Sequence, residues 1–345
     1  MPAARGPTAL ARAAALFRRH PVLLLLAFTP GIPEYLSGSS PVALLVVSPP
    51  GFLLFLLLNL GLYGPGVLLL REAWIRWGKS WGSLLLFGAA YALLEEGTAL
   101  STLFNPNASV VGSLGHYGRF AGVNWIWMIG ILGVHIVLSV GLPIVLLGLA
   151  LPGTRGRPLL TRRETTTAVA IYGVDIVLLA LIEGFWRVEL AWIVGAVLVA
   201  GLLWLVAVRL PTGWLDPPQE RPTFRPGTFF FLGLAFFPLL ILVPGLGAKG
   251  GLPAFLSGAI ELVVAAALFL AVRRGIGRRG NAPHLVLLAL GTTLPFALGG
   301  LVSQIGLPAV LAVDLLYGLF FWTLWRRYRP VPSSGPPTAS PDPAS

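Results

Sequence analysis

Long apolar blocks run through this chain, broken at intervals by short clusters of Arg, Gly and Pro. A hydrocarbon core about 30 Å thick is crossed by roughly 20 apolar residues in helix. By that measure the pattern predicts ten spans: 21–37, 51–72, 80–104, 123–150, 166–186, 190–209, 228–246, 252–272, 284–302 and 307–325. The first is short and carries Pro30 and Pro33, so it reads as kinked or only partly spanning. The predicted fold class is all-α, a polytopic transmembrane helix bundle forming one domain over 1–329. The remaining stretch, 330–345, is a Pro/Ser-rich tail that cannot bury a core and is expected to be disordered. The N-terminal run has the basic start and apolar core of a signal peptide, but no small-x-small site follows closely, so it reads as an uncleaved first span.

The interruptions carry a second signal. Alternate connections hold 21 of the 24 Lys and Arg residues, and the intervening ones hold only Arg119, Arg187 and Lys249. Cytoplasmic connections carry the basic excess, so both termini are expected to be cytoplasmic. The tripeptide Gly-Ile/Leu-Pro begins at residues 31, 141, 251 and 306. Internal repeats mark many transporters. In a chain with 42 Gly and 30 Pro, however, this recurrence reads as chance.

Every Lys and Arg falls at a span end or in a connection, and the acids do not follow that rule. Glu95, Glu96, Asp175, Glu261 and Asp314 fall inside spans, with Glu34 near the outer end of the first. An intramembrane carboxylate without a basic partner is either protonated or holds a cation. Taken singly, Asp175, Glu261 and Asp314 read as neutral acids hydrogen-bonded to a neighbouring helix.

Glu95 and Glu96 have company. Residues 3 and 4 apart share a helix face, which puts Tyr91, Glu95, Thr98 and Thr102 on one stripe. Glu96 points about 100° away from it. The next span has its own stripe: Asn124, Met128, Ile131, His135 and Ser139. His135 lies roughly 17 Å along its helix from Asn124, and Glu96 about 12 Å from the outer end of its own, at 1.5 Å per residue. Successive antiparallel helices are usually neighbours, so a Glu–His contact is expected. The candidate site is therefore Glu95, Glu96 and His135 as catalytic or proton- and cation-holding groups. Tyr91, Thr98, Asn105, Asn124 and Ser139 are its candidate substrate-binding residues. The competing reading is a hydrogen bond that fixes helix packing. The longest outer connection, 105–123, would supply a lid or entrance.

Composition narrows the function classes. Hydrophobic residues make up 56% and charged residues 11% of the chain, against about 25% charged in soluble domains. The net charge of +11 is scattered in short clusters, which excludes a nucleic-acid-binding domain and leaves the lipid bilayer as the expected partner. There is no Cys for thiolate metal sites, and no phosphate loop, nucleophile elbow or HExxH. No cofactor is expected other than a cation held by Glu95, Glu96 and His135.

An adjacent Glu pair in one membrane helix with a His in a later one resembles the CAAX-protease and bacteriocin-processing family of intramembrane endopeptidases, over residues 95–139. That resemblance implies a glutamate and histidine that activate water for peptide hydrolysis. The family's Glu-Glu-x-x-x-Arg has Leu100 at its last position here, and its Phe-x-x-x-His has Ile131 before His135. Its later His-x-x-x-Asn/Asp is matched only in part by His135 and Ser139. The wider region from Ser83 into the His135 helix is similar to uncharacterised prokaryotic multi-pass proteins, which implies a prokaryotic cell membrane and no particular activity. Three functions follow as expectations: a proton- or cation-coupled carrier of a small solute, an intramembrane hydrolase, or a non-catalytic assembly or lipid-binding protein.

Overall fold

The computed structural model describes residues 9–40, 42–183, 187–303 and 308–329. The predicted disordered tail (330–345), the Gly-Leu-Pro copy at 306 and the last residues of the 166–186 span lie outside the described residues.

Among the described residues, eight helices are long and apolar enough to cross a membrane. In chain order the helices are α1 (Ala9–Arg19), α2 (Pro21–Leu36), α3 (Pro49–Arg76), α4 (81–99) and α5 (Trp125–Ala150). They continue with α6 (Arg162–Glu183), α7 (Leu190–Arg209), α8 (Pro226–Gly250), α9 (Ala254–Gly275), α10 (Ala282–Ser303) and α11 (Pro308–Tyr328). The two predicted spans outside the eight are α2, which is shorter, and α4, which carries the glutamate pair. A two-residue-per-strand hairpin pairs Arg119–Phe120 with Val123–Asn124.

Local sequence explains the ends of these helices. Proline supplies the first turn of α3 and α8, where its missing N–H costs nothing. Thr161 and Glu164 form a reciprocal capping box at the start of α6: each backbone N–H donates to the other's side-chain oxygen, at 2.7 and 3.3 Å. The expected span 80–104 ends earlier than its apolar run. Helix α4 stops at Ala99, and Ser101 takes a positive φ of 56° that reverses the chain.

Small residues set the spacing of the bundle. A Cβ on Gly291 would stand 2.0 Å from the Phe230 carbonyl oxygen, and one on Gly233 2.4 Å from that of Leu288. Helices α8 and α10 thus cross backbone to backbone, a contact that only small residues permit. On α3, Gly61, Gly64 and Gly66 let Asp175, Leu26 and Tyr91 approach from α6, α2 and α4. Helix α5 is the most enclosed of the eight, 61% buried over its apolar window, whereas α6, α7, α9 and α11 are 17% buried. The apolar side chains those outer helices expose, such as Val177, Leu198, Val263 and Leu315, form the surface a bilayer would cover.

Basic connections gather at one end of the bundle. Arg71 donates to the Thr154 and Arg157 carbonyls, Arg327 to Ala150, Lys79 to Leu210 and Arg273 to Leu215. Glu72, which the sequence pattern placed in no site, binds Arg71 at 3.0 Å and Arg76 at 3.2 Å. It also accepts from the Leu159 and Leu160 N–H groups, which fastens the 151–161 connection to α3.

Candidate functional site

Three helices that meet in the core each lose regular α geometry where they meet. Gly31–Leu36, Glu95–Ala99 and His135–Gly141 are π-helical, with the wider i→i+5 turn. Such turns are rare and occur often at functional sites. Each of these three carries ionisable residues: Glu34, Glu95 with Glu96, and His135.

His135 is the centre of the cluster. Its Nε2 lies 2.8 Å from Glu96 Oε1. On the other side of the ring, Nδ1 lies 2.9 Å from Ser139 Oγ and 3.2 Å from Glu95 Oε2. Adjacent glutamates on a regular helix diverge by about 100°, yet both reach the same imidazole, from opposite edges. The turn at 95–99 is π-helical, and His135 sits between the two side chains.

Glu96 is further held by Thr102, whose hydroxyl donates to Glu96 Oε2 and accepts from Trp127 Nε1 at 3.0 Å. Glu95 is fully buried beside the Tyr63 and Tyr91 hydroxyls and His135 Nδ1, and neither of its oxygens makes a hydrogen bond of regular geometry. Tyr91, which packs edge-on against the His135 ring at 6.3 Å, also has an unpartnered buried hydroxyl.

Glu34 extends the cluster, and sequence reasoning left it out. The Tyr63 hydroxyl donates to Glu34 Oε1 at 2.5 Å, and Ser40 Oγ donates to Oε2 at 2.7 Å. The Tyr63 ring in turn stacks on His135, centroids 6.3 Å apart. The available signals were a glutamate directly after Gly31-Ile32-Pro33 and a tyrosine set among Gly61, Gly64 and Pro65. Both mark irregular helix rather than chemistry, so neither pointed here without the contacts between helices.

The five predicted lining residues separate. Tyr91 and Ser139 join the cluster. Asn124 does not, although it shares the His135 helix. Its Oδ1 caps α5 by accepting from Trp127 N at 2.9 Å, and its Nδ2 donates to the Leu114 carbonyl at 2.5 Å. Asn105 stands in a surface turn, where its Oδ1 accepts from Asn107 N. Thr98 makes no hydrogen bond to the cluster, and its buried hydroxyl is unpartnered. Asn105 lies beyond the end of α4 at Ala99, and Asn124 is the N-cap residue of α5, so both stand away from the depth of His135.

That connection, expected as a lid, is a packed cover. Arg119 donates to the carbonyls of Gly115, Phe104 and Gly122, and Tyr117 donates to Leu252. Partial burial lowers the Arg119 pKa from its ordinary value. Glu96 and His135 are each only 4% exposed beneath this cover.

The remaining intramembrane acids stand apart. Asp175 packs against Gly61 with Oδ2 unpartnered, and Glu261 is fully buried with neither oxygen hydrogen-bonded. The expected hydrogen bonds from these two acids to a neighbouring helix are therefore not made at those oxygens.

Chemically, the cluster is two carboxylates and an imidazole with no Lys or Arg in any ion pair to them among the described residues. It can share protons across Glu96–His135–Glu95. It also offers a divalent ion one histidine nitrogen and two carboxylates, a donor set such ions accept. One candidate ligand atom from each residue lies within 4.8 Å of the others. An ion with ligands at about 2.0–2.2 Å would draw these atoms closer by a side-chain-scale shift.

A family model for an uncharacterized membrane protein family matches residues 23–332, and the chain belongs to that family. No curated protein matches this chain, and no solved structure does. The resemblance to CAAX-type endopeptidases finds no support in these matches.

Proposed function

We propose that this member of the membrane protein family is a proton- or cation-coupled carrier of a small solute, with Glu95, Glu96 and His135 as its coupling site. In this reading the chain crosses the bilayer ten times, with both termini in the cytoplasm of a prokaryotic cell. The observation that carries it is Glu95, fully buried 3.2 Å from His135 with no hydrogen bond of regular geometry. An acid kept in that state is destabilising for the fold. A proton or cation that comes and goes gives it a reason to be there. The interrupted helices support the same reading, since carriers place coupling-ion sites where membrane helices lose regular geometry. Glu34 and Tyr63 belong to the site as the group that steadies the His135 ring from its other face.

In proteoliposomes the carrier reading requires solute uptake driven by a proton or cation gradient, and uptake that disappears in Glu95→Gln. Isothermal titration with Zn²⁺ and Mn²⁺ separates the two couplings. Saturable metal binding lost in Glu95→Gln and His135→Ala identifies a cation; uptake that follows the pH gradient with no metal binding identifies a proton. Uptake unchanged in both variants sinks the reading.

A second reading, an intramembrane hydrolase, is favoured by one feature. His135 is hydrogen-bonded to Glu96 through one nitrogen and to Ser139 through the other, the arrangement of an oriented acid–base pair. It predicts turnover of a membrane-embedded peptide or ester that His135→Ala abolishes, with no dependence on an ion gradient.

A further inference from the structure

At the arginine-rich end of the bundle, a cavity of about 900 Å³ opens between α1, the start of α2, the 150–159 connection and the last turns of α11. Arg18, Arg19, Arg157 and Arg327 line it, and no acidic residue does. None of the four makes an ion pair among the described residues. Arg327 uses one nitrogen on the Ala150 carbonyl at 3.1 Å, which fixes its guanidinium at the rim with its other donors free for a ligand. Four guanidinium groups brought together without a carboxylate repel one another, and an anion in their midst removes that cost.

The shape of the adjoining space says which anion. Phe17, Leu24 and Phe320 line this cavity and also a second one of about 570 Å³. That second space is an apolar trough between α2, the 42–56 segment and α11, floored by residues such as Phe28, Ala312 and Leu316. It contains no charged side chain. A free phosphate would satisfy the mouth and leave the trough unused. A phospholipid fills both, since basic pockets beside membrane helices bind anionic headgroups while the chains stay in hydrocarbon.

We propose that this groove binds one anionic phospholipid of the leaflet at the basic end. Its phosphate sits on Arg18, Arg19, Arg157 and Arg327, and an acyl chain lies along the trough past Phe28 and Ala312. The lipid ties α1 and α11, the first and last helices described, to the connection that Glu72 fastens. The site is separate from the Glu–His cluster and stands whether or not that cluster couples transport.

The test uses the full-length protein in neutral detergent, mixed with equal amounts of phosphatidylglycerol and phosphatidylcholine and examined by native mass spectrometry. One phosphatidylglycerol should be retained, with a preference of about tenfold or more. Retention should fall by a similar factor in Arg18→Gln/Arg19→Gln/Arg157→Gln, and also in Ala312→Trp, which fills the trough and leaves every arginine in place. Thermal melts confirm that each variant is folded. Should one fail to fold, the other decides alone. Inorganic phosphate at millimolar concentration should neither displace the lipid nor raise the melting temperature. The proposal is overturned if both lipids are retained equally or if retention survives in the folded variants. It is overturned too if inorganic phosphate stabilises as well as the lipid, since the groove is then a free-anion site.

Discussion

Glu95 and Glu96 are neighbours in sequence and opposites in environment. Glu96 has a nitrogen of His135 and a hydroxyl of Thr102, whereas Glu95 has an approach of 3.2 Å to the far side of the same ring and no hydrogen bond of regular geometry. Removing a charge that lacks regular hydrogen bonds relieves desolvation, so Glu95→Gln should unfold at an unchanged or higher temperature while it loses uptake or cation binding. Gain in stability with loss of activity is what a site held at a stability cost predicts. Thr102→Val should act in the opposite sense. It leaves the Glu96 oxygen and Trp127 Nε1 without their partner, and each buried orphan costs about 1–3 kcal/mol. Thermal or chemical denaturation in detergent reads both variants. A Thr102→Val protein as stable as the parent would show that Glu96 is held by His135 alone.

Among the helices, two contacts test how the bundle is held together. Glu72 joins α3 to the 151–161 connection through two arginines and two backbone N–H groups. It is 2% exposed, as is Arg71. Glu72→Ala would leave the Arg71 guanidinium buried without its counter-charge, a change that costs about 3–5 kcal/mol. Denaturation midpoints should report that loss, and a shift within error would mean that the carbonyls of Thr154 and Arg157 suffice. The second contact is the crossing of α8 and α10. Gly291→Ala sets a methyl group against the Phe230 carbonyl, where no side chain can yield, so the helices must part. Overpacking of this kind costs about 1–3 kcal/mol. The π turns are a different matter. Pro33 stands inside the first, and the third ends at Gly141 with Pro143 just beyond, so part of the irregularity was written in the sequence. The turn at 95–99 has no proline, and only Gly97, which packs on Ala196 of α7, hints at it.

For the molecule as a whole, the absence of cysteine makes sidedness directly testable. Ser109→Cys lies in the cover over the site and Thr212→Cys at the basic end, both exposed. In intact cells a membrane-impermeant maleimide should label the first and spare the second. Labelling of both, or the reverse pattern, would overturn the proposed orientation of the basic end toward the cytoplasm.

Much of this architecture follows from the linear order of residues. Twenty-odd apolar residues in a row have no stable home but a helix in hydrocarbon, so the helical bundle and the sorting of Arg to one end were legible without any contact being known. The Glu–His contact was legible too, because successive helices pack as neighbours and depth can be counted along them. What the chain alone did not determine was direction around each helix axis. Regular 3.6-residue spacing sends Glu96 away from Glu95 and keeps Asn124 in line with His135. In the structure both glutamates reach His135 across a π turn, and Asn124 spends its side chain capping α5. Those departures are decided by packing between helices, where a few glycines permit backbone approach and buried polar groups must find partners from distant segments. Glu34, Tyr63 and the arginine-lined groove belong to the same class. Each is assembled from residues far apart in sequence, and only the tertiary structure brings them together.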